Sequence, residues 1–222
     1  MTSSLAAGDW VLAVDGSVRD EPLVVLVASG GEVTWELRAA LPAPVLITAV
    51  REALLAYRER IGSIVAIRGP GSYIGVRGGL AAALGAAQSL GRPLALVGTM
   101  EAVAAQVDPG EGRVLALADA GRGGTFGQEM GSELSAGRVI GWRPLGGSLL
   151  LARGLPWPDA WADLRLVIGT PGEGRQLPLG TSSISPIRGR RMALAWLVTA
   201  KPIPISGYDQ VTADYAEPIG AR

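Results

Sequence analysis

The chain has 222 residues, 48% of them hydrophobic, and its 20 basic and 20 acidic residues cancel. This length allows one large domain or two small lobes, and zero net charge gives no general attraction to nucleic acid or anionic membranes. Cysteine and histidine are absent, which excludes disulfides, imidazole metal ligands and nucleophile–histidine catalysis. The N-terminus lacks a signal-peptide pattern and the most apolar stretch, residues 80–90, is too short to span a bilayer, so we expect a cytoplasmic protein.

Three strands are predicted at the start of the chain. Apolar runs predict strands over residues 10–14 and 23–28, and alternating polar and apolar residues predict a third over residues 32–37. Because short turns separate them, the three strands are expected to form an antiparallel meander.

Helices and strands then alternate. Pro44 stands at a favoured first-turn position of a helix that Gly62 is expected to end. The next predicted elements are a strand over residues 63–67, a helix ending near residue 90, a strand over residues 93–97 and a helix over residues 100–107 capped by Thr99. This order predicts an α/β layer architecture.

A Pro- and Gly-containing segment, residues 108–112, is the predicted boundary between a first lobe, 1–107, and a second lobe, 108–222. The second lobe is expected to repeat the meander, and its C-terminal helix and tail are expected to pack back on the first. Its predicted elements are strands over residues 114–118, 125–130, 138–143 and 164–168, an irregular segment over residues 145–158 and a helix over residues 190–200.

The strongest local signal is Gly-Pro-Gly-Ser-Tyr-Ile-Gly-Val-Arg-Gly-Gly, residues 69–79, between a predicted strand and a predicted helix. Glycine permits tight turns and close backbone approach, and free amides at a helix start can hold an anion. A tight strand-to-helix turn without a ligand explains the pattern as well. The only lysine, Lys201, lies outside this loop, which excludes a P-loop.

Small residues form a stripe along the following helix. Gly75, Gly79, Ala83 and Ala87 recur at four-residue spacing. Such a stripe lets a second element pack very closely. That element could be a helix of a partner protein or the sheet of the chain itself, and the sequence leaves both open.

Two aspartates follow apolar runs at similar positions in the two halves. Asp15 ends the first predicted strand, close to Ser17, and Asp119 ends the corresponding strand of the second half. A pair of such carboxylates could orient magnesium-bound phosphate. Aspartates that cap their own turns explain both positions equally well.

Residues 69–79 resemble the hallmark segment of the TsaB family, also called YeaZ, which is Gly-Pro-Gly-Ser-Phe-Thr-Gly-Leu-Arg-Ile-Gly. Four weaker similarities occur in the family's order. They are Asp-Gly-Ser at residues 15–17 for the family's Asp-Thr-Ser, Gly-Thr-Met-Glu-Ala at residues 98–102 for Ser-Thr-Leu-Glu-Ala, Asp-Ala-Gly-Arg at residues 119–122 for Asp-Ala-Arg, and Glu-Pro-Ile-Gly-Ala-Arg at residues 217–222 for Glu-Pro-x-Tyr-Leu-Arg.

This resemblance implies an actin-like, ribonuclease H-like α/β fold with two duplicated lobes of mixed sheet and flanking helices. It also implies a non-catalytic subunit that binds and activates TsaD, the enzyme that threonylcarbamoylates the adenosine next to the tRNA anticodon. The ATPase TsaE would bind the heterodimer, tRNA would be bound only through the complex, and a homodimer through the same surface is possible. No cofactor or metal is implied for the chain alone, although ATP, ADP or Mg²⁺ could bind at the complex interface.

The resemblance also assigns residues to roles. The motif loop comprises Gly69, Pro70, Gly71, Ser72 and Arg77, and a vestigial phosphate site comprises Asp15, Ser17 and Asp119. The implied partner interface comprises Leu46, Val50, Leu54, Tyr57, Ser72, Tyr73, Gly75, Val76, Gly79, Ala83 and Ala87. The chain departs from the family pattern at Gly16, Ile74 and Gly220.

Two other functions are compatible with the sequence. One is an ATP-dependent phosphotransferase or ATPase that uses Asp15 and Asp119, which the fold supports by analogy alone. The other is a homodimeric scaffold with no part in tRNA modification.

Overall fold

The structure, a computed structural model, describes residues 10–18, 22–28, 33–38, 44–177, 180–184, 205–206 and 211–218. These residues form two compact units that divide after Gly98. The first unit also includes residues 205–206 and 211–214, and the second also includes residues 215–218. The predicted boundary segment, residues 108–112, is a loop within the second unit.

In chain order, the elements up to the division are β1 (Trp10–Asp15), β2 (Leu23–Val27), β3 (Val33–Arg38), α1 (Pro44–Tyr57), β4 (Ile61–Gly69), α2 (Tyr73–Leu90) and β5 (Leu94–Gly98). Those that follow are α3 (Thr99–Ala104), β6 (Arg113–Gly121), β7 (Gly124–Ser135), β8 (Arg138–Pro144), β9 (Leu149–Leu151), a 3-10 turn (Asp159–Trp161), β10 (Leu166–Gly169), β11 (Ser182–Ile184), β12 (Ile205–Ser206) and β13 (Glu217–Pro218). No helix of the described ranges is long and apolar enough to cross a membrane.

The first unit contains a mixed sheet in the order β12-β5-β4-β1-β2-β3. Strands β1, β2 and β3 pair antiparallel, which confirms the predicted meander. Strand β1 pairs with β4 in parallel, and β4 with β5 in parallel. The central strands are apolar on both faces, as expected for strands buried between layers.

Helices α1 and α2 complete the core of the first unit. Helix α1 buries Leu46, Ala49, Val50 and Ala53, which share one helical face at the spacing of an amphipathic helix. Helix α2 begins with Ser72 as its N-cap and ends with Gly91 in the left-handed conformation, at φ 61°. Both helices pack into the same cluster as the apolar residues of β1 and β4.

The second unit repeats this strand arrangement. Strand β6 pairs antiparallel with β7 and parallel with β10, as β1 does with β2 and β4. Strand β7 also pairs antiparallel with β8 and β9. Two mixed sheets with flanking helices confirm the predicted α/β class with duplicated lobes.

Several predicted boundaries differ from the structure. Gly62 does not end α1, because the helix stops at Tyr57 and Gly62 lies inside β4. Thr99 is the first residue of the short α3, and its buried hydroxyl has no hydrogen-bond partner among the described residues, so it does not cap that helix. The segment predicted as irregular contains β9, while the predicted helix over residues 190–200 lies outside the described residues.

Candidate functional site

The loop before α2 is folded against the residues that follow β1. The Ser72 N–H donates to the Ser17 carbonyl oxygen at 2.8 Å. A Cβ placed on Gly71 would lie 2.6 Å from that same oxygen, so only glycine fits. At the other end of the loop, Gly69 has φ 110°, a conformation that favours glycine. The loop glycines therefore serve contacts within the chain.

The start of α2 touches the end of β1 backbone to backbone. A Cβ on Gly75 would overlap the Gly16 carbonyl oxygen, and a Cβ on Gly16 would overlap the Gly75 carbonyl oxygen. One turn later, a Cβ on Gly79 would lie 3.4 Å from the Gly16 nitrogen. The stripe that begins at these residues thus packs on the chain's own sheet, one of the two alternatives that the sequence left open.

Most of the implied interface residues on this side of the helices are buried within the first unit. All but Gly79 pack in one apolar cluster, and none of the six residues is at the surface of the unit. These residues are Leu46, Val50, Val76, Gly79, Ala83 and Ala87.

The carboxylate of Asp15 is held in a local turn. Only 2% of the residue is exposed, and its Oδ1 accepts hydrogen bonds from the Ser17 N–H at 2.8 Å and the Ser17 hydroxyl at 2.6 Å. This is the turn-capping geometry expected of aspartate. The structure brings Asp15 and Ser17 together as a closed turn rather than an open phosphate site.

Asp119 makes a similar turn in an exposed setting. Its Oδ1 accepts the Gly121 N–H at 2.8 Å. Asp119 does not end its strand, as the sequence had predicted, because β6 continues through Gly121 and pairs there with Gly124. Among the described residues, no group of three or more carboxylates lies close enough to hold a metal ion.

We predict that Asp15→Ala lowers the free energy of unfolding by about 2 kcal/mol, because two donors lose a buried acceptor. Asp119→Ala is the matched control, with an expected change within about 0.5 kcal/mol, since its turn is exposed. Urea unfolding of both variants measures this. Equal, small losses would show that the Asp15 turn does not support the fold.

Four exposed large apolar side chains lie on α1 and at the start of α2. Ile47 is 58% exposed and Leu55 74%, two turns apart on α1. Tyr73 is 58% exposed and Ile74 70%, in the first turn of α2. The two helices pack side by side, and both the Leu46 side chain and the Gly75 carbonyl lie next to Gly16. We call Ile47, Leu55, Tyr73 and Ile74 the apolar face.

The first turns of α2 add a cation to this face. The Arg77 guanidinium, the only charge in the helix, lies 4.0 Å from the centre of the Tyr73 ring. At this distance a cation–π interaction holds the Tyr73 side chain against the helix. Further along, Ala81 and Gly85 are exposed, and beyond α2 itself no described residue lies within 4 Å of a Cβ placed on Gly85. Packing among the described residues therefore does not explain this glycine.

Comparisons with known proteins agree with the motif. A family model described as "TsaD: tRNA N6-adenosine threonylcarbamoyltransferase" matches residues 43–134. YeaZ from Pseudomonas aeruginosa is similar in structure, with a TM-score of 0.63 and 25% identity over 93% of this chain and 99% of that one. These findings support a TsaB family assignment.

A second solved structure, of an uncharacterized protein with similarity to peptidase YeaZ from Pseudomonas aeruginosa, has the same TM-score of 0.63 and 25% identity. The similarity covers 94% of this chain and 100% of that one. No curated protein sequence matches the chain. Two mixed sheets with flanking helices are the α/β architecture that the resemblance implied.

One departure from the TsaB pattern has a physical reason in this structure. Gly16 stands where the family has threonine, and any side chain there would overlap the Gly75 carbonyl. Ile74, which replaces a threonine, is exposed on the apolar face. Gly220 lies outside the described residues.

The remaining motif residues and implied interface residues lie at the edge of this region. Leu54 and Tyr57 are half-buried, and the Tyr57 ring packs 5.4 Å from that of Trp10. Ser72 caps α2 by accepting the Gly75 N–H at 3.3 Å. Pro70 is buried and follows a cis peptide bond.

Sequence reasoning missed Ile47, Leu55, Ala81 and Gly85. Leu55 follows Leu54 immediately, so an apolar residue outside the buried stripe of α1 was visible in the sequence. Gly85 was a second available signal, because a glycine within a helix is destabilising unless something requires it.

Proposed function

We propose that the chain is a non-catalytic accessory subunit that binds and activates TsaD for threonylcarbamoylation of the adenosine next to the tRNA anticodon. The observation that carries this proposal is the apolar face on α1 and α2, in a chain assigned to the TsaB family. A cluster of exposed large apolar side chains is typical of a protein–protein contact.

The chemistry of the face indicates how a partner would bind. Tyr73 and Ile74 supply apolar and aromatic area, and Arg77 can pair with a carboxylate of the partner. Tyrosine and arginine are common among residues that dominate binding energy. Ala81 and Gly85 leave room for a partner helix to approach the α2 backbone closely. We therefore infer that TsaD contributes a helix with an apolar stripe and a nearby acidic residue.

The ATPase alternative has less support. It requires Asp15 to face a bound phosphate, whereas this carboxylate is buried and accepts two hydrogen bonds from Ser17. It also requires free amides at the start of α2, whereas the N–H groups of Ser72 and Gly75 are bonded to Ser17 and to the Ser72 hydroxyl. Both groups that could position phosphate serve the fold.

We expect the purified chain and TsaD from the same organism to form a one-to-one complex. Size-exclusion chromatography with light scattering, on each protein alone and on the mixture, measures this directly. Adding TsaE then tests for the ternary complex that the family implies. A homodimer of the chain that persists unchanged beside TsaD would contradict the proposal and favour a scaffold.

A further inference from the structure

The second unit contains a pocket that is lined in part by two glycine-containing loops. Its volume is about 340 Å³, within the range of small-molecule sites. Three segments line it: the turn between β6 and β7, the segment after β9 and the segment after β10. The lining includes Gly123, Arg153, Leu155, Trp157, Glu173 and Arg175.

The two loops are fixed to each other beneath the pocket. The Gly172 N–H donates to the hydroxyl of Thr125, a fully buried residue, at 2.8 Å. A Cβ on Gly172 would overlap the Gly124 carbonyl oxygen, so the loops meet backbone to backbone. The loop that carries Gly123 and the loop that carries Glu173 are therefore held together next to the lining residues.

Arg175 connects the segment after β10 to the segment after β9. Its Nη1 donates to the Leu155 carbonyl at 2.9 Å, and its Nη2 donates to the Ala152 carbonyl at 2.6 Å. Its guanidinium lies 5.1 Å from the centre of the Trp157 ring, and the Trp157 indole N–H donates to the Gln176 carbonyl at 2.9 Å. These hydrogen bonds hold the segments after β9 and β10 together. Because the acceptors are uncharged carbonyl oxygens, the positive charge of Arg175 is not neutralised.

A second arginine, Arg153, also lines the pocket. The side chain of Arg153 lies along Gly123, where a Cβ would stand 2.9 Å from the Arg153 Cδ. Within the described part of the chain, the Arg153 guanidinium has no hydrogen-bond or ion-pair partner, and neither does the Glu173 carboxylate. Two arginines and one glutamate leave the pocket with an excess positive charge.

We propose that this pocket binds a small phosphate monoester. Arginine guanidinium groups match phosphate oxygens in geometry, and a phosphate monoester carries about two negative charges near neutral pH. The side chain of Leu155 and the edge of Trp157 give the organic part an apolar wall. The volume exceeds what inorganic phosphate needs. The site lies within the second unit, shares no residue with the apolar face, and does not depend on the proposed role in tRNA modification.

Isothermal titration of the full chain with inorganic phosphate and with glycerol 3-phosphate tests the site. We expect saturable binding of both, with the monoester binding more tightly. Arg153→Gln should weaken binding at least about tenfold, because a charge-assisted hydrogen bond is lost, and Arg153→Lys should restore part of it. Arg138→Gln, an exposed arginine outside the pocket, is the matched control.

Three outcomes would overturn the proposal. Binding of neither probe, or equal binding by Arg153→Gln and the parent chain, would show that the pocket is not an anion site. Equal affinity for acetate would show that phosphate is not selected. Displacement of glycerol 3-phosphate by an oligonucleotide would assign the pocket to RNA backbone. None of these results bears on complex formation with TsaD.

Discussion

Gly75→Ala is expected to destabilise the chain by about 3 kcal/mol. The added methyl group would overlap the carbonyl oxygen of Gly16, a backbone atom that cannot rotate away. Relief requires α2 to move from the end of β1, which would also disturb Gly79 and the buried residues beyond it. Overpacking of this kind costs about 1–3 kcal/mol where side chains can adjust, and more where they cannot.

Gly85→Ala is the matched control in the same helix. Apart from neighbouring residues of α2, no atom of the described residues lies within 4 Å of the position that the methyl group would take. Because alanine favours the helix over glycine by about 1 kcal/mol, this variant should be as stable as the parent or more stable. Chemical unfolding followed by circular dichroism measures both. Similar stabilities for the two variants would mean that α2 does not contact Gly16 as described.

Ile74→Asp is expected to weaken binding of TsaD by about a hundredfold or more. Ile74 is 70% exposed in the first turn of α2, and a carboxylate there would be buried without a partner in the complex. Central interface residues cost about 2–4 kcal/mol when altered, which corresponds to this loss of affinity. Because the side chain is exposed in the free chain, its stability should change little.

Leu134→Asp provides the control for this prediction. Leu134 is 64% exposed on β7 in the second unit and is not one of the residues of the apolar face. Its substitution adds the same charge and should leave the affinity unchanged. Titration calorimetry of the parent and both variants with TsaD measures the difference. Full affinity of Ile74→Asp would exclude the start of α2 from the interface.

The strands of both meanders could be predicted because their signal is local. The apolar runs that begin at Trp10 and Leu23 and the alternation before Arg38 identify strands without knowledge of their neighbours. Strands β9 and β11 have only three residues each, and they exist because they pair with β7 and β10. Their formation depends on distant partners, so their own residues give little indication of it.

The position of the motif was also predictable, but the contacts that its residues make were not. Four-residue spacing identified a stripe of small residues on α2, yet the direction of that stripe depends on the contact between Gly16 and Gly75. The two residues are far apart in sequence. Similarly, Leu46 and Ile47 are both apolar, so hydropathy does not tell which of them is buried. Only the packing of α1 shows that Leu46 is buried and Ile47 exposed.

An accessory subunit must be needed by TsaD for tRNA modification. Reconstitution of threonylcarbamoyladenosine formation with TsaD, TsaE, tRNA and the threonylcarbamoyl donor, with and without the chain, measures that. We predict modification only when the parent chain is present, and little or none with Ile74→Asp. Full modification without the chain, or equal activity of the parent and Ile74→Asp while both remain folded, would contradict an accessory role exerted through the apolar face.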